Sequence, residues 1–235
     1  MSRARSLTAL GALLCSGCAP LVVLDPGHTA NSPGALGVRG VPEVVYNDAF
    51  AALLREKLVA AGFRVELTRA PGEEVDLEAR AARASRRGAW LLLSLHHDSA
   101  QPRYLEERSQ GERPAFRAVR PFRGYSLFVS RGNPRYEQSL RVAEALGGRL
   151  LELGRPPTLH HAEPIPGEDR PLLDPRLGVY RYDELKVLRE ATCPAVLLEL
   201  GVIVDEEDEA YLFDPAHREA LAAAIVAGLE DVRRR

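Results

Sequence analysis

The sequence predicts a single α/β domain on an open, mostly parallel twisted sheet with helices on both faces. Three observations point there. Short runs that are apolar at every position suit strands buried on two sides, stretches with helical apolar spacing lie between them, and strands and helices alternate without an internal repeat. The 235 residues fit one domain, and 46% hydrophobic with 27% charged residues exclude disordered, collagen-like and multi-span membrane classes. Thirty-one Lys and Arg against 33 Asp and Glu leave a formal charge of −2, and positive charge is blocked only at Arg233-Arg234-Arg235. No nucleic-acid partner is expected from that balance.

The first element is a leader. Residues 1–5 are basic and 7–14 form an apolar run, too short for a bilayer span of about 20 residues, which reads as a secretory signal over 1–17. Ser16-Gly17-Cys18 resembles the bacterial lipobox, with Cys15 where Leu is usual. That resemblance implies acylation of Cys18 and anchoring to a membrane; simple cleavage and an uncleaved anchor are the other readings. All three place the domain, residues 18–235, outside the cytoplasm, in the cell envelope or periplasm. Cleavage before Cys18 removes Arg3 and Arg5, making the remaining chain more acidic by two charges.

Residues 21–24 form a buried strand that Asp25-Pro26-Gly27 stops. From 43 to 61, apolar Val44, Val45, Ala49, Ala52, Leu53 and Val59 mark an amphipathic helix ended by Gly62. Residues 63–68 alternate as a strand, 75–87 have helical spacing with Gly88 after them, and 89–95 make a third strand. Pro102, Pro114 and many charges make 97–123 an exposed excursion. A strand over 124–130, a helix over 135–153, a loop over 154–178 with six prolines, a buried strand over 195–200 and a helix over 215–233 complete the chain. Loops this long are usually functional or mobile, and both are expected to wall a cleft.

Open α/β sheets bind ligands beyond the carboxyl ends of their strands. The polar residues there are Asp25-Pro26-Gly27-His28, then Ser94-Leu95-His96-His97-Asp98, then Glu199, with Glu43 opening the first helix. Two imidazoles and one carboxylate are a recurring set for catalytic zinc, and His28, Glu43 and His96 can supply it. Zinc lowers the pKa of bound water to about 7. Glu199 is then the candidate base. Spacing alone leaves other readings open, because no His-Glu-x-x-His motif fixes ligands on one helix. His28 also suits a turn cap, and Glu43 a first-turn acid favoured by the helix dipole.

The ordered blocks decide between them. Val22-Val23-Leu24-Asp25-Pro26-Gly27-His28, then Gly34-Ala35-x-Gly37, then Glu43 and Asn47, resemble the zinc-dependent N-acetylmuramoyl-L-alanine amidases (type 3 cell-wall amidases). Thr68-Arg69, Leu77, Arg80, Ser94-Leu95-His96, the block from Pro194 to Gly201 and Glu207-Asp208-Glu209-Ala210-Tyr211-Leu212 resemble the same family. The resemblance covers about 21–230. It implies a twisted sheet flanked by helices, one Zn²⁺ on His28, Glu43 and His96, and Glu199 as the catalytic glutamate. The implied reaction is hydrolysis of the amide joining the lactyl group of N-acetylmuramic acid to L-alanine, with peptidoglycan as partner. An activator protein, of unknown identity, is a further possible partner. His97-Asp98 stands where the family commonly has a small residue and Asn, and Val202-Ile203-Val204 departs from its Gly-Phe-x-Ser/Asn stretch.

The remaining candidates read more plainly. His97 points away from His96 and is packed or exposed rather than a ligand. Asp98 either orients an imidazole or caps a loop, and Asp25 is structural. His160-His161 with Glu163 suggests a second metal, but the surrounding prolines favour an irregular surface stretch. Tyr104, Phe116, Tyr125 and Tyr182 are candidates for stacking on sugars, while Trp90 packs in the core. Residues 206–209 form a solvated helix start, and Cys193 lacks a base to make it a nucleophile. Two other functions compete: a non-catalytic peptidoglycan-binding lipoprotein, and a zinc amidohydrolase or peptidase with another substrate.

Overall fold

The computed structural model describes residues 19–110 and 113–235; the leader, with Cys15 and Cys18, lies outside them. The chain runs β1 (Leu21–Pro26), α1 (Glu43–Ala60), β2 (Arg64–Leu67), α2 (Leu77–Arg86), β3 (Leu91–Asp98), β4 (Leu105–Gln110), β5 (Arg113–Ala118), β6 (Ser126–Val129) and α3 (Tyr136–Glu152). It continues with β7 (Leu172–Asp174), β8 (Val179–Arg181), α4 (Lys186–Glu190), β9 (Ala195–Val202), α5 (Glu206–Phe213) and α6 (Pro215–Arg234). Seven strands form one sheet in the order β2-β1-β3-β9-β6-β8-β7. β2, β1, β3 and β9 are parallel, whereas β6 runs antiparallel to β9. Among the described residues a 3-10 turn and a hairpin, but no α-helix, lie between β3 and β6 to return the chain to the far end of the sheet, so β6 enters from the end where β3 leaves.

Residues 21–24 of β1, 91–93 of β3 and 195–198 of β9 are unbroken apolar runs because both faces of these strands are covered. Val22, Leu24, Leu91, Leu93, Leu95, Val196 and Leu198 pack under α1, α3 and α6. Their neighbours Leu21, Val23, Leu92, Ala195 and Leu197 meet Ala81 and Ala84 of α2 and Leu188 of α4 on the other side. Asp25, His96 and Glu199 share the parity of this second set, so the sheet brings them to one side.

α1 begins where loop carbonyls receive its first amides: Glu43 N donates to Ala35 O at 2.8 Å and Val44 N to Pro33 O at 3.0 Å. It ends at Gly62, φ 82°, with Phe63 N on Leu58 O and Gly62 N on Val59 O, the paired bonds of a glycine stop. The same pair of bonds follows α2 and α3.

Three expectations need correction. Residues 97–123 are not a free excursion: β4 and β5 pair as a hairpin, and Tyr104, Phe116 and Phe122 form a small core with Val202 and Val204 at the sheet's end. The start of α5 is only partly solvated. Asp208 and Glu209 are each 1% exposed, Asp208 accepting from Val202 N and Gly124 N and pairing with Arg155, and Glu209 accepting from Tyr46 Oη and Arg39 N. Tyr125 is fully buried and donates to Gly147 O, so it reaches no sugar.

Candidate metal centre and active site

The loop after β1 is shaped by two buried arginines. Arg80 of α2 donates to Pro26 O at 2.7 Å and His28 O at 2.6 Å and pairs with Asp25 at 2.8 Å. Arg69 donates to Pro26 O and Gly27 O, both at 3.1 Å, and pairs with Asp48. Asp25 also accepts from Thr68 Oγ1 and Ser94 Oγ, so its role is to tie β1 to its neighbours. These bonds hold His28 at φ 67°, a left-handed conformation that a non-glycine residue adopts only when its surroundings impose it.

The imidazole so placed meets a carboxylate. His28 Nε2 lies 2.9 Å from Glu43 Oε2, and His96 Nδ1, from the end of β3, lies 3.0 Å from Glu43 Oε1. Burial opposes the charge on Glu43, but hydrogen bonds from both imidazoles outweigh it and hold its carboxyl well below the usual range. Two glycines make room: a Cβ on Gly27 would stand 2.2 Å from the His96 ring, and one on Gly34, at φ 78°, would stand 2.5 Å from Glu43 Oε2. Asn47, one turn after Glu43, donates to Gly27 O and Glu43 Oε1 and accepts from His97 Nδ1 at 2.7 Å. His97 is indeed turned away from His96. Burial depresses it to about 3, so it stays neutral against Tyr46 and Phe50.

The ligand-type atoms of His28, Glu43 and His96 lie within 4.8 Å of one another. This donor set, with Gly27 and Gly34 leaving room for the His96 ring and the Glu43 carboxylate, fits a borderline divalent ion such as zinc. Glu199 faces His96 across the β3–β9 ladder. Its Oε2 is buried without a hydrogen-bond partner among the described residues, and burial together with the charges of Asp98 and Glu43 pushes the carboxyl well above its ordinary range. Beside His28 and His96 opens a cleft of about 720 Å³, walled by Val75 and Leu77 before and in α2 and by Leu185 and Val187 near α4.

The family model described as N-acetylmuramoyl-L-alanine amidase matches residues 22–231. The chain belongs to that family. It is 25% identical over 239 residues to the N-acetylmuramoyl-L-alanine amidase AmiC of Neisseria meningitidis, covering 92% of this chain and 53% of AmiC, so it spans about half the length of that relative. The catalytic domain of CwlV from Bacillus (Paenibacillus) polymyxa var. colistinus superposes with a TM-score of 0.66 at 26% identity, covering 92% of this chain and 98% of that one. The amidase Ami1 of Mycobacterium abscessus has the same fold, with a TM-score of 0.71 at 22% identity and coverage of 91% and 98%.

This amidase-family domain carries a second group that its sequence reads as surface. His160 is only 6% exposed, in a short 3-10 turn over His160–Ala162, and its ring lies 3.9 Å from that of His161 and 5.1 Å from that of Phe122. His161 Nε2 is 2.8 Å from Asp98 Oδ2 and its Nδ1 is 2.9 Å from Glu168 Oε2. Burial disfavours a charge on His161, but the two carboxylates prevail and raise it to about 9. Glu163 is not part of this group; it accepts from Tyr104 Oη and pairs with Arg120. The first residues of the 97–123 segment and the 154–178 loop thus wall a small cavity next to Glu199, while the hairpin lies elsewhere. The signal that sequence offered was the His-His pair itself; its burial comes from aromatic neighbours distant in the chain.

Proposed function

We propose that the protein is a zinc-dependent N-acetylmuramoyl-L-alanine amidase that cleaves peptidoglycan outside the cytoplasm, with His28, Glu43 and His96 holding one zinc ion and Glu199 moving the proton. The observation that carries this reading is the meeting of three ligands, one each from a loop, a helix and a strand, at the mouth of a cleft, with an unpartnered buried carboxylate on the adjoining strand. A zinc ion held there supplies Lewis-acid polarisation of the scissile carbonyl and a water of lowered pKa.

Everything else falls to the chain. Arg80 and Arg69 fix the backbone that presents His28, and Asn47 fixes Glu43. Glu199 takes a proton from the attacking water and gives it to the amine nitrogen of L-alanine as the C–N bond breaks, a task suited to a carboxyl that burial and neighbouring charges raise above its ordinary range. The cleft lined by α2 and the α4 region receives the substrate on the His28 side. The leader reading supports delivery to the cell envelope and attachment through a lipid on Cys18.

Digestion of purified sacculi tests the reading. The full chain should release stem peptides with a free L-alanine amino terminus, lose at least a hundredfold in rate after treatment with a chelator, and recover on addition of zinc. Sacculi that bind the protein without releasing peptide would make it a binding module, and undiminished release in chelator would remove the metal from the mechanism.

A further inference from the structure

We propose a second metal site, made by Asp98, His160 and His161, that takes a first-row divalent ion such as Zn²⁺ in the cavity beside Glu199. The three ligand-type atoms lie within 4.8 Å of one another. His161 Nε2 and His160 Nε2 converge on the same oxygen, Asp98 Oδ2, at 2.8 and 3.3 Å. An ion with ligands at about 2.0–2.1 Å in tetrahedral array spaces those atoms about 3.3 Å apart, so the group is already near the size of an ion's ligand shell.

Two further observations point to an ion rather than to an ion-paired cluster. His160 is 94% buried, being 6% exposed, and among the described residues its Nε2 has no hydrogen-bond partner although it faces Asp98 at 3.3 Å. A buried orphan nitrogen of this kind is costly unless something occupies its lone pair. The atoms facing away are all engaged, in the pattern metal sites use to orient their ligands. His160 Nδ1 is 2.8 Å from Thr158 Oγ1, His161 Nδ1 is 2.9 Å from Glu168 Oε2, Gln101 Nε2 donates to Glu168 Oε1 at 2.7 Å, and Ser99 N donates to Asp98 Oδ1 at 2.7 Å. Each imidazole thus has Nδ1 engaged outward and turns Nε2 toward Asp98 Oδ2, and a bound ion would take the place of the proton that His161 shares with that oxygen.

Asp98 and His161 border a cavity of about 260 Å³ that Glu199 and Glu168 also line. An ion there has Glu199 beside it in the cavity wall, with space for a water or a substrate oxygen. Two imidazoles and one carboxylate suit zinc and its first-row neighbours better than calcium or magnesium, which prefer oxygen alone.

The test is metal stoichiometry of the full chain, stripped with chelator, checked for its fold by circular dichroism and titrated with Zn²⁺ against a chromophoric competitor. The wild type should bind two equivalents. His160→Gln combined with His161→Gln should bind one, and Asp98→Asn, close to the original in volume, gives the same result should the double variant fail to fold. His28→Gln should also keep one equivalent, held by the second group, which separates this site from the proposed catalytic one. Glu168→Gln should keep both equivalents and weaken one of them about 10–100-fold. A wild-type chain that binds a single ion, lost in His28→Gln and untouched by Asp98→Asn, overturns the proposal.

Discussion

Glu199→Gln is expected to lower the rate of stem-peptide release by about 10²–10⁴, the range attributed to general acid–base catalysis, while zinc content and thermal stability stay close to wild type. Glutamine matches the shape of the side chain and cannot carry the proton. The position tolerates the change structurally because Oε2 has no hydrogen-bond partner to lose among the described residues, and the neighbouring Asp98 and Glu43 charges favour a neutral group there. Purified sacculi and metal analysis on the same preparation read both quantities. A variant that digests as fast as wild type assigns the proton transfer to another residue; one that loses zinc along with activity makes Glu199 a part of the metal site instead.

Arg80→Ala is expected to be the most destabilising single change near the site. Arg80 is 2% exposed and bonds to Asp25, Pro26 O, His28 O and Val75 O. Removing one partner of a buried pair costs about 3–5 kcal/mol, which for a domain of this size lowers Tm by about 6–20 °C. Because the same side chain holds the carbonyl of a left-handed His28, zinc affinity should fall as well. Calorimetry with and without added zinc measures both. A Tm within about 2 °C of wild type and unchanged affinity would show that the His28 loop holds its conformation without the clamp.

The sheet was readable because strands buried on two faces carry unbroken apolar runs, 21–24, 91–93 and 195–198 in β1, β3 and β9, and because the ends of those runs then single out the few polar residues that follow them. His28, His96 and Glu199 stand at such ends, and Glu43 at a helix start that the glycine- and proline-rich stretch before it announces. What escaped reading depends on partners remote in the chain. β7 and β8 have three residues each, too few for a period to show. The four acids at the start of α5 look like a complement to the helix dipole, yet two of them are buried against Arg155, Tyr46 and Arg39. His160 and His161 lie in a proline-rich loop without periodicity, and their enclosure by Phe122, Phe128 and Tyr180 is a product of folding alone.

Anomalous diffraction at the zinc absorption edge, from crystals of the full chain grown with zinc, tests the central claim without recourse to activity. The expected map has a peak enclosed by His28 Nε2, the Glu43 carboxylate and His96 Nδ1. Density showing those three side chains in mutual contact with no anomalous signal between them, in a sample that carries stoichiometric zinc, would contradict it.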